Sequence, residues 1–539
     1  MGFRRFTSFD TFRRTTKPGS AIRRGPHRSP PRYGRSPIVR RALVAVTTVL
    51  AVALAGTPAS ATVRPRAAPA PGGPGVGDSY YPDYGNGGYD VSHYDVRLRY
   101  WPDTDKLTGT TTILARATQD LSQFNLDFAL AVTSVRVNGW QASFARQGAH
   151  ELVVKPARPV NAGQQLTVVV QYADTPSAVK VNGFTSWVRT SDGALAVGEP
   201  EIAWWWFPSN DHPTDKATFD IAVLVPDGTQ VVSNGVMPSQ PVRELSGWSR
   251  WYWRSTKPMA TYLAFMAIGQ YEIRTDTSVS GQPVINAYSD NLGEFADAAR
   301  ASVERTSEVV DWESTVFGPY PFEARGGVVT PPASMGYALE DQTRPMYDGR
   351  FFRRGSNMYV VVHENAHQWF GDSVSVADWR NIWLNEGFAS YAEWLWSEAQ
   401  GEGTAQELFD YTYALYPPDD PFWQVKPGDP GAQDPFHAAV YDRGAMTLHQ
   451  LRLAVGDDTF FSILREWTAS HRYGNATIEQ FQALAEKMSG KDLDALFTTW
   501  LFTPGRPNLG SPSTMAARAI PAQPKSWQKI EETHAALHH

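Results

Sequence analysis

His363-Glu364-Asn365-Ala366-His367-Gln368-Trp369-Phe370-Gly371-Asp372, with Trp383-Leu384-Asn385-Glu386-Gly387 after it, is the stretch on which the fold turns. The two histidines are four positions apart, so on a helix both imidazoles leave one face, a turn apart. The apolar run Met358-Tyr359-Val360-Val361-Val362 leads in and Trp369-Phe370 follows, so a buried helix is expected over 358–370. Gly371 ends it, and a second helix is expected over 386–400, opening on Glu386. Zinc takes histidine nitrogens at about 2.0–2.1 Å and prefers four ligands in a tetrahedron. His363 and His367 supply two, and Glu386, nineteen positions after His367, is placed to supply the third. Three protein ligands leave one position for water, which marks a catalytic rather than a structural ion. Glu364 sits beside the metal without binding it. A carboxylate there can act as general base toward the zinc-activated water as it attacks a carbonyl, so these residue types point to metal-assisted hydrolysis. Histidine pairs at helical spacing also occur as ordinary polar core. In so apolar a helix, however, two histidines and a glutamate without partners would be costly. One zinc ion per chain is the expected cofactor.

Outward from this stretch, helical patterns continue downstream, with helices expected over 444–455, 458–470 and 477–488, punctuated by Asn475 and Ser489-Gly490. Just upstream, 292–316 reads as one helix. Earlier still the pattern alternates, as in Tyr94-Asp95-Val96-Arg97-Leu98-Arg99-Tyr100, and Asp192-Gly193, Asp227-Gly228 and Asn234-Gly235 supply turns. The expected organisation is multidomain α+β: an antiparallel β domain over 89–275, then a mostly helical catalytic domain over 276–508 with a small sheet at its start. The Pro-, Gly- and Ala-rich residues 62–88 read as a flexible linker and 509–539 as a flexible tail.

The stretch HENAHQWFGD with WLNEGFASYAEW resembles the aminopeptidase N family of gluzincin zinc metallopeptidases, to which leukotriene hydrolases also belong. That family separates its second histidine from the ligand glutamate by eighteen residues, here 368–385. The resemblance implies a saddle-shaped β domain followed by a thermolysin-like zinc peptidase domain. Met335-Gly336-Tyr337-Ala338-Leu339-Glu340-Asp341 is loosely similar to the family's Gly-x-Met-Glu-Asn segment, with Tyr337, Leu339 and Asp341 at the glycine, methionine and asparagine positions. The match makes Glu340 a ligand of the substrate's free α-amine. Phe207-Pro208-Ser209-Asn210-Asp211-His212-Pro213 and Lys216-Ala217-Thr218-Phe219 are similar to a family stretch that puts Glu199 in the same amine pocket, with Glu201 as the alternative register. Val440-Tyr441-Asp442-Arg443-Gly444 resembles the family's Tyr-Glu-Lys-Gly segment, which gives Tyr441 the stabilisation of the oxyanion. Asp372 is a candidate to orient a ligand histidine, or a plain helix terminus. Two carboxylates near one point favour an ammonium there, which is how an exopeptidase would recognise a chain end. Many relatives carry a further helical domain after Pro507. With about 30 residues remaining, the resemblance implies a chain without it and a more open cleft.

The first 61 residues hold twelve of the 49 basic residues and one of the 55 acidic ones, then the apolar run 42–56 and Ala59-Ser60-Ala61. This is the layout of a secretory signal peptide cleaved after Ala61, so the protein is expected to be exported and secreted. Fifteen apolar residues are short for a membrane span of about 20. The alternative is an uncleaved anchor. The long basic region fits a start codon assigned too early or a long export signal. Arg40-Arg41 is a weak twin-arginine signal, and general secretion is favoured. Without the leader the formal net charge is −17, which argues against nucleic acid and stable membrane insertion as partners. The chain has no cysteine, hence no disulfide or thiolate metal site. The expected partners are peptides with a free N-terminus, and oligomeric state is not legible. The leading function is a secreted zinc aminopeptidase. The alternatives are a related zinc hydrolase acting on internal peptide bonds or epoxides, and a catalytically silent zinc-binding module.

Overall fold

Alternation of apolar and polar side chains builds the first half of the molecule. In the strand Tyr89–Trp101 every second residue is buried over most of its length, the signature of a sheet with one face on the core. The computed structural model describes residues 68–181, 183–509 and 521–537. The expected signal peptide, 1–61, lies outside them. Tyr89–Trp101 sits centrally in an eight-stranded sheet, paired antiparallel to Lys106–Ala117 and parallel to Ala217–Pro226. Two four-stranded sheets complete the β domain, and Trp187, Trp205, Trp206 and Trp253 fill its core.

A further sheet, five-stranded and mixed, opens the catalytic half. It begins with the hairpin Tyr271–Thr277 and Pro283–Ser289, slightly before the expected boundary at 276. Helices follow: α1 (Ala296–Val303), α2 (Thr306–Phe317), α3 (Met358–Ala366), α4 (Trp383–Gln400), α5 (Ala405–Leu415), α6 (Ala438–Val455), α7 (Asp457–Ser470), α8 (Ile478–Ser489), α9 (Asp494–Phe497) and α10 (Trp527–Leu537). The single helix expected over 292–316 is therefore two. They part at Glu304-Arg305, where the Thr306 hydroxyl donates to the Val303 carbonyl at 2.8 Å. The β domain followed by a mostly helical domain agrees with the expected fold class. No helix among the described residues is long and apolar enough to cross a membrane.

Two expectations about the chain's ends are also corrected. From residue 68 the segment read as a flexible linker is structured. Ala70–Pro71 pairs with Leu121–Asp127, and the buried Asp78 carboxylate accepts from the backbone N–H groups of Tyr80, Tyr81 and Trp379. The Pro/Gly composition hid this. Partners far along the chain, not local propensity, fix the segment. The tail is not flexible where it is described either, since α10 packs on α3. Its Trp527, Ile530, Thr533 and His534 are buried, an amphipathic spacing of three and four that reads as a helix face.

Candidate active site

Asn357 caps α3 by accepting from the Tyr359 N–H, and the helix runs to Ala366 with His367 as its last cap. The expected 358–370 helix is thus shorter, and α4 starts three residues before Glu386, which lies in its first turn. This packing brings the three predicted ligands together. His363 Nε2 and His367 Nε2 each lie 3.4 Å from Glu386 Oε2. Zinc bonds of about 2.0–2.1 Å put tetrahedral ligand atoms about 3.3–3.4 Å apart, so these two separations match a zinc site, and all three donor atoms lie within 4.8 Å of one another. The triad is buried. Burial opposes the charge on Glu386, but His367 and His363 outweigh it and hold the carboxyl below its usual range.

Behind the ligands, His363 Nδ1 meets Glu393 Oε1 at 2.6 Å and His367 Nδ1 meets the Phe370 carbonyl at 3.0 Å. Such contacts fix which nitrogen faces the metal. The Asp372 carboxylate does not orient His367. Its peptide N–H donates to the His367 carbonyl, and a backbone carbonyl does the orienting. Sequence reasoning missed Glu393. It lies two helical turns beyond Glu386, so the spacing put it on the same face, but its partner is on another helix.

The cleft, ≈ 610 Å³ in volume, is lined by all seven predicted residues: Glu199, Glu340, His363, Glu364, His367, Glu386 and Tyr441. Glu364 is buried, with Oε1 lacking a protein partner. Burial pushes its carboxyl up to about 8 against the pull of both histidines. The Tyr441 ring is stacked against His363, centroids 6.0 Å apart, and burial keeps its phenol protonated at neutral pH. Glu340 follows the short strand Ala338–Leu339. Tyr262 donates to its Oε1 at 3.0 Å, and Gln368 of the motif loop donates to its carbonyl at 2.8 Å. Glu199 comes from the β domain, and its Oε1 is buried without a partner. Burial pushes both carboxyls up, and Glu340 pushes Glu199 further. Glu201, the alternative register, accepts instead from Tyr84 at 2.7 Å.

Residues 302–500 match the Peptidase family M1 domain and residues 91–263 the Peptidase M1 N-terminal domain. A crystal structure of an M1 zinc metallopeptidase from Deinococcus radiodurans aligns with a TM-score of 0.71 at 30% identity, over 81% of this chain and 100% of that one. The chain belongs to peptidase family M1. As an M1 member it is 27% identical over 375 residues to Aminopeptidase M1-A of Oryza sativa subsp. japonica, 65% of this chain and 41% of that protein. To Aminopeptidase N of Streptomyces lividans it is 27% identical over 325 residues, 56% of this chain and 36% of that protein. It spans less than half the length of these two curated relatives. A mutant of the Deinococcus protein has been solved with a Tyr-Ser-Ala substrate bound, at 29% identity and a TM-score of 0.70. In this M1 chain Arg443, at the family's lysine position, is a structural tie. It donates to the carbonyls of Trp423, Val425, Thr499 and Thr503 and joins α6 to the end of the catalytic domain.

Proposed function

We propose that this chain is a secreted zinc aminopeptidase that hydrolyses the first peptide bond of peptides with a free N-terminus, using one zinc ion held by His363, His367 and Glu386. The observation that carries this reading is the pair Glu199 and Glu340. They line the metal-site cleft, burial raises both carboxyls, Glu340 raises Glu199 further, and Glu199 Oε1 has no protein partner. A substrate ammonium would supply a positive partner there, and docking it sets the distance from chain end to metal. Interior segments of a chain have no α-ammonium to offer. When bound, zinc acidifies a water and polarises a carbonyl. Glu364, which lines the cleft and has one carboxylate oxygen without a protein partner, takes the proton of the attacking water and passes it to the departing amine. The Tyr441 phenol donates to the carbonyl oxygen as it gains negative charge. Export rests on the basic and apolar leader within 1–61. The acidic balance of the rest disfavours nucleic acid and anionic membranes as partners.

The test compares a free-amine peptide with its N-acetylated twin, before and after chelation and after zinc is restored. The proposal expects chelator-sensitive cleavage of the free form alone, recovered by one equivalent of zinc. Equal cleavage of both forms makes the protein an endopeptidase. Absence of chelator-sensitive turnover on either rejects peptide hydrolysis.

A further inference from the structure

His534 is a buried titratable side chain to which the proposed reaction gives no task. It sits on α10, beyond residue 500, where the match to the M1 catalytic domain ends. Its ring lies between two carboxylates. Nε2 is 3.1 Å from Glu393 Oε1, and Nδ1 is 3.0 Å from Asp442 Oδ1. The same Glu393 oxygen is 2.6 Å from Nδ1 of the ligand His363. Asp442 adjoins Tyr441 in α6, and its other oxygen accepts from Tyr416 at 2.8 Å. Asn357, the cap of α3, donates to Thr533 one residue before His534 at 2.9 Å, so α10 is docked on the helix that carries both ligand histidines.

We propose that His534 is a positioning residue, which from α10 holds Glu393 in register behind His363 and Asp442 beside Tyr441, so that this helix completes the hydrogen-bonded chain behind the metal. The inference rests on the zinc-site reading above. A ligand histidine binds well when its far N–H is fixed by a carboxylate, which sets the tautomer and raises the basicity of the near nitrogen. That carboxylate must itself be held, and Glu393 has no solvent exposure. A buried carboxylate needs a cation or several donors. His363 and His534 both meet Glu393 Oε1, and of the two only His534 is free of a metal-ligand role, so from α10 it is placed to hold that oxygen behind His363. The bland role for such a residue is an anchor for α10 and nothing more, which would show in folding stability and not in metal affinity.

The experiment measures zinc affinity of the full chain by competition with a chelating dye, alongside the melting temperature of the metal-free protein. His534→Gln carries its amide nitrogen as far as Nε2 and keeps a donor at Glu393. It is expected to bind zinc within about threefold of the unmodified protein. His534→Asn reaches only the Nδ1 position and loses Glu393. It and His534→Ala are expected to weaken zinc about 10–100-fold, the usual cost of losing such a support. In a Glu393→Gln background His534→Ala should add no further loss, because both act through one contact. Equal zinc affinity in the Gln and Asn variants, additive losses in the double variant, or losses that follow the metal-free melting temperature would each overturn the proposal. Should the Ala variant not fold, the Gln/Asn pair still decides. An unmodified protein that binds no zinc in this assay strikes the metal reading instead.

Discussion

Glu364 and Glu340 are two carboxyls in one cleft, and the proposed function gives them different duties that substitution should separate. Glu364→Gln keeps the shape and leaves the three ligands untouched. We expect zinc content unchanged and kcat lowered roughly 10²–10⁴-fold, the range for loss of a general base, read from steady-state rates beside elemental analysis. Glu340→Ala removes what the proposal makes a partner of the substrate ammonium. We expect kcat/KM for free-amine peptides to fall roughly 10–100-fold, mostly through KM, since a hydrogen bond to a charged group is worth about 1.5–3 kcal/mol. An unchanged KM removes Glu340 from the amine pocket. At this scale the sequence was highly legible. The spacing of His363, His367 and Glu386 encodes the metal site because a helix turns two of them to one side. Asp372 and Glu393 were not legible, because which group backs a ligand depends on the neighbouring helix. The carbonyl of Phe370 serves His367, and no side-chain pattern announces a carbonyl.

Elements bring these residues into register through close helix contact. α4 and α6 cross at Gly387 and Gly444, where a Cβ on Gly444 would lie 3.0 Å from Gly387 Cα and 2.7 Å from a Trp383 ring carbon. Glu386 adjoins the first glycine, and Tyr441 lies a turn before the second. Gly444→Ala should therefore push α6 outward and carry Tyr441 with it. We expect a cost of about 1–3 kcal/mol in stability together with a lower kcat at unchanged zinc affinity, measured by denaturation and by turnover. The same two helices meet at His449, whose Nδ1 is 3.1 Å from the Tyr391 hydroxyl while Nε2 is 3.1 Å from Gln406 Oε1 of α5. Burial, aided by Arg452, pushes His449 down to about 4. Between about 4 and the ordinary 6.5 the unfolded chain takes up a proton that the folded chain refuses, so stability rises with pH there and is lost as pH falls through that window. The effect is on the order of 3 kcal/mol. His449→Gln should flatten melting temperature against pH from 4 to 6.5 while leaving the profile above 7 parallel to that of the unmodified protein. Helix existence was legible from periodicity. Helix ends were not, because α3 stops at its metal ligand and α4 starts before one, where tertiary contacts rather than caps decide.

The whole molecule depends on its N-terminal described segment more than composition suggests. Asp78 accepts from Trp379 of the catalytic half at 2.8 Å and pairs with His212 of the β domain at 3.1 Å. Ser79 also donates to Asp378, 3.0 Å from its backbone nitrogen. Asp78→Ala leaves several buried donors unpaired at once. We expect the melting temperature to fall by roughly 5 °C, while a Ser79→Ala control at a more exposed contact changes it little. A melting temperature unmoved by the Asp78 change would mean the segment only rests on the surface.

The sequence by itself determined the outline: a metal triad, an acid beside it, and a β domain ahead of a helical one. These follow from local periodicity and from motif spacing, both of which are written along the chain, whereas Glu199 and Glu340 were reached only through the resemblance to a family. Only the tertiary structure decided what supports them. It turned a Pro/Gly-rich segment into a brace and a supposed loose end into α10. It also carried His534 to the back of the metal centre. The reason is range. A helix face is set by residues three and four apart, whereas Glu393 and His534, 141 positions apart, meet only after the intervening elements have packed.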